Sequence, residues 1–163
     1  MKRVPDVAAA VESTVESLLA VLDRARLAQE PAVPPAQLRV LTIIARNRQH
    51  TNMSRLAEAL DVVPSSASRL CDRLEATGLL RRVPDPRDRR EVQVLLTPAA
   101  TRLLENLRDR RRTALGEVLE RMSPGDRQQL VHALAAFDSA ATTSASTAAS
   151  ADTGTRDAGL RSA

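Results

Sequence analysis

Two stretches of this chain set hydroxyl and guanidinium groups at spacings that could grip a polyanion. In "PSSASRLCDRLEATG", residues 64–78, a helical period of 100° puts Ser65, Arg69, Asp72 and Ala76 on one face, flanked by Ser68 and Arg73. Ala67, Leu70, Cys71 and Leu74 fall on the other face. Small residues near the helix start permit close approach, while Ser and Arg suit phosphates and base edges. Amides of the first turn suit a phosphate. In "VPDPRDRREVQVLLT", residues 83–97, Arg87, Arg89 and Arg90 crowd against Asp85, Asp88 and Glu91. Pro84 and Pro86 stiffen that loop. Asp88 can hold a neighbouring guanidinium in place and so reduce the entropy lost on binding.

The elements that must position these groups follow from periodicity. Residues 5–28 read as a helix, with Val7, Val11, Val15, Leu18, Leu22 and Ala25 at spacings of three and four. Ala8 and Leu19 widen this stripe beyond what one partner in so small a protein needs. Pro35 opens a second helix running to about Asn47. Thr51 or Asn52 is positioned to cap a short third helix, "MSRLAEAL". The turn "DVV" leads to Pro64 and the helix described above, which Gly78 ends. Two short helices joined so closely form a helix-turn-helix pattern. Residues 79–83 and 91–96 read as two strands joined by the charged loop, with Val92, Val94 and Leu96 on one face. Thr97-Pro98 and Ser123-Pro124 each start a further helix, the first to about residue 121 and the second to about Phe137. The remainder holds one large apolar residue, Leu160, and is expected to be a disordered tail.

Composition narrows the function. The chain has 163 residues, 43% of them hydrophobic, with one Phe and no Trp or Tyr, so the core is aliphatic. Net charge is +4, and Lys2 is the sole lysine among 24 basic residues. From 69 to 90, Arg69, Arg73, Arg81, Arg82, Arg87, Arg89 and Arg90 outnumber Asp72, Glu75, Asp85 and Asp88. A helix-turn-helix beside a basic hairpin puts one positive element in a major groove and another in the adjacent minor groove, where Arg reads a narrow, negative channel. One cysteine excludes an internal disulfide and fits a reducing compartment. No apolar run approaches the ~18 residues that span a bilayer. A cytoplasmic protein without membrane partners is expected. His50 and His132 lack motif partners, no metal-ligand spacing occurs, and neither a glycine-rich phosphate loop nor G-x-S-x-G is present. We therefore expect no enzyme, no cofactor and no metal.

With these residues in view, the run "LAEALDVVPSSASRLCDRLEATGLLRRVPDPRDRREVQVLLT" resembles the DNA-binding core of the multiple-antibiotic-resistance-regulator (MarR/SlyA) family. The most specific matching element is "DPRDRREVQVLLT". The resemblance spans 50–100 by motif and 5–138 by helix order. It implies a mainly α fold with a small β-hairpin: a winged helix-turn-helix lobe plus a helical dimerisation region. It implies N-terminal helices at 1–48 for dimerisation and support, a DNA-binding lobe at 49–97, dimerisation helices at 98–138 and a tail at 139–163. It implies a homodimer on a palindromic operator in double-stranded DNA, usually a repressor relieved by a small-molecule effector. By this resemblance Arg90 enters the minor groove and Asp88 orients it, with Arg87 and Arg89 beside them. Ser65, Ser66, Ser68, Arg69 and Arg73 take recognition-helix positions that contact bases or phosphates. The family's effector region would be lined by the first two helices and the start of the fifth, where Arg24, Arg26, Arg39 and Arg46 could face an anion or simply solvent; no ligand-binding residue is assigned. Two alternatives stay open: a winged-helix module for protein or RNA, and a redox-responsive regulator acting through Cys71.

Overall fold

The computed structural model describes residues 3–28, 32–47, 51–85 and 91–153. Among them the chain forms α1 (Val4–Leu27), α2 (Pro35–Arg46), β1 (Thr51–Asn52), α3 (Met53–Leu60), α4 (Pro64–Ala76), β2 (Leu80–Pro84), β3 (Val92–Leu96), α5 (Pro98–Leu119) and α6 (Pro124–Thr153). It divides into two compact units, Met1–Gly116 and Glu117–Ala163.

Proline starts most of these helices because its fixed φ suits the first turn and its missing N–H is no loss there. Pro35, Pro64, Pro98 and Pro124 each hold the first helical position. The joints of the first unit come from side chains and backbone turns. Asn52 caps α3 by accepting the Arg55 N–H at 3.0 Å. Helix α3 ends with Asp61 at φ 57°, where Val62 N–H reaches Ala57 O and Asp61 N–H reaches Glu58 O. Helix α4 ends the same way around Gly78 at φ 70°, with Leu79 N–H donating to Leu74 O and Gly78 N–H to Glu75 O. This pair of bonds needs a left-handed residue, which glycine adopts without strain. Thr97 caps α5, accepting from Ala100 N–H at 3.3 Å, and its hydroxyl donates to Gly78 O at 2.8 Å. The end of α4 and the start of α5 are thus tied at one point.

The expected two-stranded hairpin is one part of a three-stranded antiparallel sheet in the order β1-β3-β2. Leu80 lies opposite Leu96, and Arg82 opposite Val94. The added strand is only two residues long, with Thr51 opposite Val94, too short to show a period of two. One core holds Leu38, Val40, Leu41 and Ile44 of α2, Leu56 and Leu60 of α3, Ala67, Cys71 and Leu74 of α4, Leu80, Val94 and Leu96 of the sheet, and Ala100, Leu103, Leu104 and Leu107 of α5. That core crosses both expected boundaries of the lobe, 48/49 and 97/98.

Helix α1 contributes only Ala25 to the buried set. Its end is held by Arg110, whose guanidinium donates to Ala28 O at 2.7 Å. In the second unit, α6 starts with Ser123 accepting from Asp126 N–H at 3.1 Å. It runs on to Thr153, past the expected end near Phe137. The extension is rich in alanine, the strongest helix former. Its hydroxyls bond back along the helix, Ser139 to Ala135 O at 2.9 Å and Thr142 to Asp138 O at 2.8 Å. The expected tail from 139 is therefore helical as far as Thr153, and 154–163 lie outside the described residues.

Candidate nucleic-acid interface

Helix α4 sorts its side chains as its period requires. Ala67, Cys71 and Leu74 are fully buried and Leu70 is half-buried. Ser65, Ser66, Arg69, Asp72 and Arg73 are exposed, and Ser68 is half-buried at the edge. The five α4 residues singled out from sequence therefore share one helix, four of them on open surface. No side chain caps the start of α4, because its N-cap is Val63. Serine, threonine or aspartate there would have satisfied one of the leading amides.

Arg87, Asp88, Arg89 and Arg90 lie outside the described residues. What is described is the frame that carries them. Strands β2 and β3 pair as far as Pro84 opposite Val92, and Asp85 N–H then donates to Glu91 O at 2.9 Å. Gln93 adds a side-chain bond to Asp85 Oδ2 at 2.6 Å. Asp85 and Glu91, which flank 86–90 in sequence, are thus bonded to each other across the hairpin.

One arginine behaves differently from the sequence reading, which counted it as open positive charge. Arg82 leaves β2 toward α4, and its Nη1 lies 2.7 Å from Asp72 Oδ1 and 2.8 Å from Glu75 Oε2. Its Nη2 donates to Ser68 O at 3.2 Å, while its backbone N–H donates to Glu75 Oε1 at 3.1 Å. The Arg82 side chain is 25% exposed. Burial pulls its pKa down, but the hydrogen bonds to Asp72 and Glu75 outweigh that, and the net shift is upward. The signal in sequence was a pair of acids one helical turn apart on α4, ahead of a glycine turn that folds the next strand back along the helix. Arg81, its neighbour, points the other way and is exposed.

Burial pushes the Cys71 thiol up to about 11, against a downward pull from Arg82 and smaller upward contributions from Asp72 and Glu75. A buried, protonated thiol is a poor nucleophile, which speaks against redox sensing at this position. Of the arginines that could face an anion, Arg24, Arg39 and Arg46 are exposed, and Arg26 pairs with Asp23 at 3.2 Å. Among the described residues no group of three or more His, Cys, Asp or Glu could hold a metal ion. None of their helices is long and apolar enough to cross a membrane.

The arrangement has clear relatives. The family model of the MarR family matches residues 33–91, from the end of the α1–α2 connection through the wing loop. The HTH-type transcriptional repressor MdtR of Bacillus subtilis (strain 168) is 29% identical over 115 residues, 71% of this chain and 74% of that protein. The crystal structure of RV1404 from Mycobacterium tuberculosis is 31% identical and superposes with a TM-score of 0.79, covering 86% of this chain and 95% of that one. A MarR family protein from Bacillus stearothermophilus shares the fold at 24% identity, with a TM-score of 0.72 over 86% of this chain and 99% of its own. A helix-turn-helix, a hairpin wing and a helical remainder, joined in this order, place the chain in the MarR family of transcriptional regulators.

Proposed function

We propose that this protein binds a palindromic operator in double-stranded DNA as a homodimer and represses transcription until a small-molecule effector releases it. The observation that carries DNA binding is the exposed Ser65, Ser66, Arg69 and Arg73 surface on α4, beside the β2–β3 hairpin whose connecting sequence contains Arg87, Asp88, Arg89 and Arg90. On this reading α4 enters the major groove and Arg90 the neighbouring minor groove, with Asp88 orienting it. No side chain caps the start of α4; Pro64 has no N–H and Ser66 N–H donates to Val63 O, so Ser65 N–H is the leading amide offered to a phosphate.

The homodimer reading is supported by apolar surface that the single chain leaves in solvent. On α1, Val7, Val11, Val15 and Leu18 remain 45%, 42%, 43% and 38% exposed, at spacings of one helical turn. On α6, Val131, Leu134 and Phe137 are exposed as well. Covering an exposed Val or Leu is worth on the order of 1 kcal/mol, at ~25 cal/mol per Å². We assign dimerisation to 1–48 and 98–138 and DNA contact to 49–97. Twofold symmetry would then place half-sites ~34 Å apart or at a multiple of that. Repression is the activity named for the MdtR relative, and an effector between the dimerisation helices and the lobe is the regulatory mode the family resemblance implies.

The test is selection of duplexes from a random pool, followed by titration of the winning sequence. An inverted repeat is expected. Arg90→Ala should weaken binding by ~1–3 kcal/mol while leaving the dimer folded. Affinity should fall steeply as salt rises, through counterion release. Unchanged affinity in Arg90→Ala would remove the wing assignment. A monomer, or a complex indifferent to salt, would favour a protein- or RNA-binding module instead.

A further inference from the structure

The two elements proposed to touch DNA are joined by more than the chain between them. Strand β2 is tied to α4 by Arg82, whose guanidinium spans Asp72 and Glu75 and also reaches Ser68 O. Strand β3 is tied at its start to the head of α3, where Asn52 Nδ2 donates to Glu91 Oε2 at 2.9 Å. The hairpin is thus clamped at two levels, in mid-strand at Arg82 and beside the loop at Glu91, and the heavier clamp is the one on α4.

We propose that Arg82 is a positioning residue for DNA binding: its bonds to Asp72, Glu75 and Ser68 fix the wing against the recognition helix, so that both elements meet their grooves together. The inference rests on the DNA-binding reading above. Its physical basis is the fixed spacing of the two grooves. A wing free to swing must be ordered at the moment of binding, and that ordering subtracts from affinity. A wing held at the right angle beforehand avoids the loss, and small misplacements of a rigid contact cost disproportionately. Arginine suits this role because its planar fork engages two carboxylates and a carbonyl at once, which an ammonium on a flexible stem does not.

Charge and geometry make opposite forecasts for this cluster. Asp72 and Glu75 are acids on the helix that faces a polyanion, 58% and 41% exposed at their side chains. If they matter only as charges, replacing both with alanine removes repulsion and tightens binding. If they matter as the anchor of Arg82, the same change weakens binding although the protein becomes more positive.

The experiment titrates the full-length dimer, as wild type, Asp72→Ala/Glu75→Ala, Arg82→Gln and Arg82→Lys, against the duplex that wild type selects from a random pool. Thermal melting and sedimentation confirm that each variant is a folded dimer. Expected are a loss of about tenfold for Asp72→Ala/Glu75→Ala, a similar loss for Arg82→Gln and a partial recovery for Arg82→Lys. Repeating the selection with Arg82→Gln should keep the base preferences at the centre of each half-site and lose those at the wing position. A general loss of stability would not produce that split. Tighter or unchanged binding by Asp72→Ala/Glu75→Ala, or an intact wing preference in Arg82→Gln, overturns the positioning role while leaving DNA binding in place. Failure of wild type to select any duplex overturns the DNA reading and this inference with it.

Discussion

The winged lobe and helix α1 are built from the same aliphatic residue types and use them in opposite ways. In the lobe, Leu56, Leu74 and Val94 have no exposed surface, and Leu60, Leu80 and Leu96 almost none. In α1, Val7, Val11, Val15, Leu18 and Leu19 stand in solvent at similar helical spacing. The difference lies in what each segment packs against within the chain. The lobe's helices and strands turn back on one another through short, specified joints, so their apolar faces meet. Helix α1 is 24 residues long and buries only Ala25, near its C-terminal end. Periodicity reports which residues want cover; it does not report whether the cover comes from the same chain. Contiguous apolar stripes of this size are uncommon on monomers and mark surfaces that bind something.

The largest effect should come from attacking that difference directly. Val11→Glu with Leu18→Glu puts two charges on the α1 stripe while leaving the lobe's core untouched. If the proposed homodimer forms through α1, the variant should sediment as a monomer, with operator affinity down by at least about a hundredfold, because each lobe then binds a half-site alone. The lobe's own unfolding transition should persist. If the double variant remains dimeric, α1 is not the dimer surface and the comparison fails. Loss of the lobe together with the dimer would show that the core is less self-sufficient than its burial implies.

How much of this was legible in sequence follows the same division. Helices α2, α3 and α4 were readable to within a residue or two because each is bounded by a proline, a cap or a left-handed turn, and their apolar residues keep the helical period. The return strand was readable because Val94 and Leu96 alternate with half-exposed Gln93 and Leu95. Strand β1 was not, since two residues carry no period. Thr51 was read as a cap candidate, and its burial comes from pairing with Val94, 43 positions later in the chain. The Arg82 clamp was missed for a related reason: an ion pair between a helix and a strand needs the fold before its partners are neighbours. The continuation of α6 was missed because the composition of 138–153 was weighed for burial, while the local preference of alanine for helix decided the outcome.

An intermediate effect probes the lobe's interior from the other side. The Cys71 thiol ordinarily ionises near 9.0 and is raised to about 11 by burial. The folded state therefore favours the protonated form. Its contribution is fully present below pH ~9 and is lost as pH rises from ~9 toward ~11, up to ~2–3 kcal/mol in all. The chain has no tyrosine and only Lys2, so few other side chains titrate in that window. Stability measured against pH should show this decline in wild type and not in Cys71→Ala, which starts lower because of the cavity it leaves. A flat profile in wild type would mean that the thiol is better solvated than its burial indicates, and that the core around α4 is looser than described.

The smallest effect contrasts the two regions at their helix starts. Helix α1 begins at Arg3 with no side-chain cap, whereas α3 begins with Asn52 doing two jobs. Its Oδ1 accepts the Arg55 N–H, and its Nδ2 donates to Glu91, the residue after Arg90. Asn52→Ala loses both bonds and should cost ~1 kcal/mol in unfolding free energy, mostly from the cap. Asn52→Asp keeps an acceptor for the cap but places a carboxylate against the Glu91 carboxylate. Its stability should lie between those of wild type and Asn52→Ala, while its operator affinity falls below that of Asn52→Ala, because repulsion displaces the strand that leads from Arg90. If the two variants bind operator equally, the Asn52–Glu91 bond does nothing for the wing, and positioning falls to Arg82 on the opposite strand.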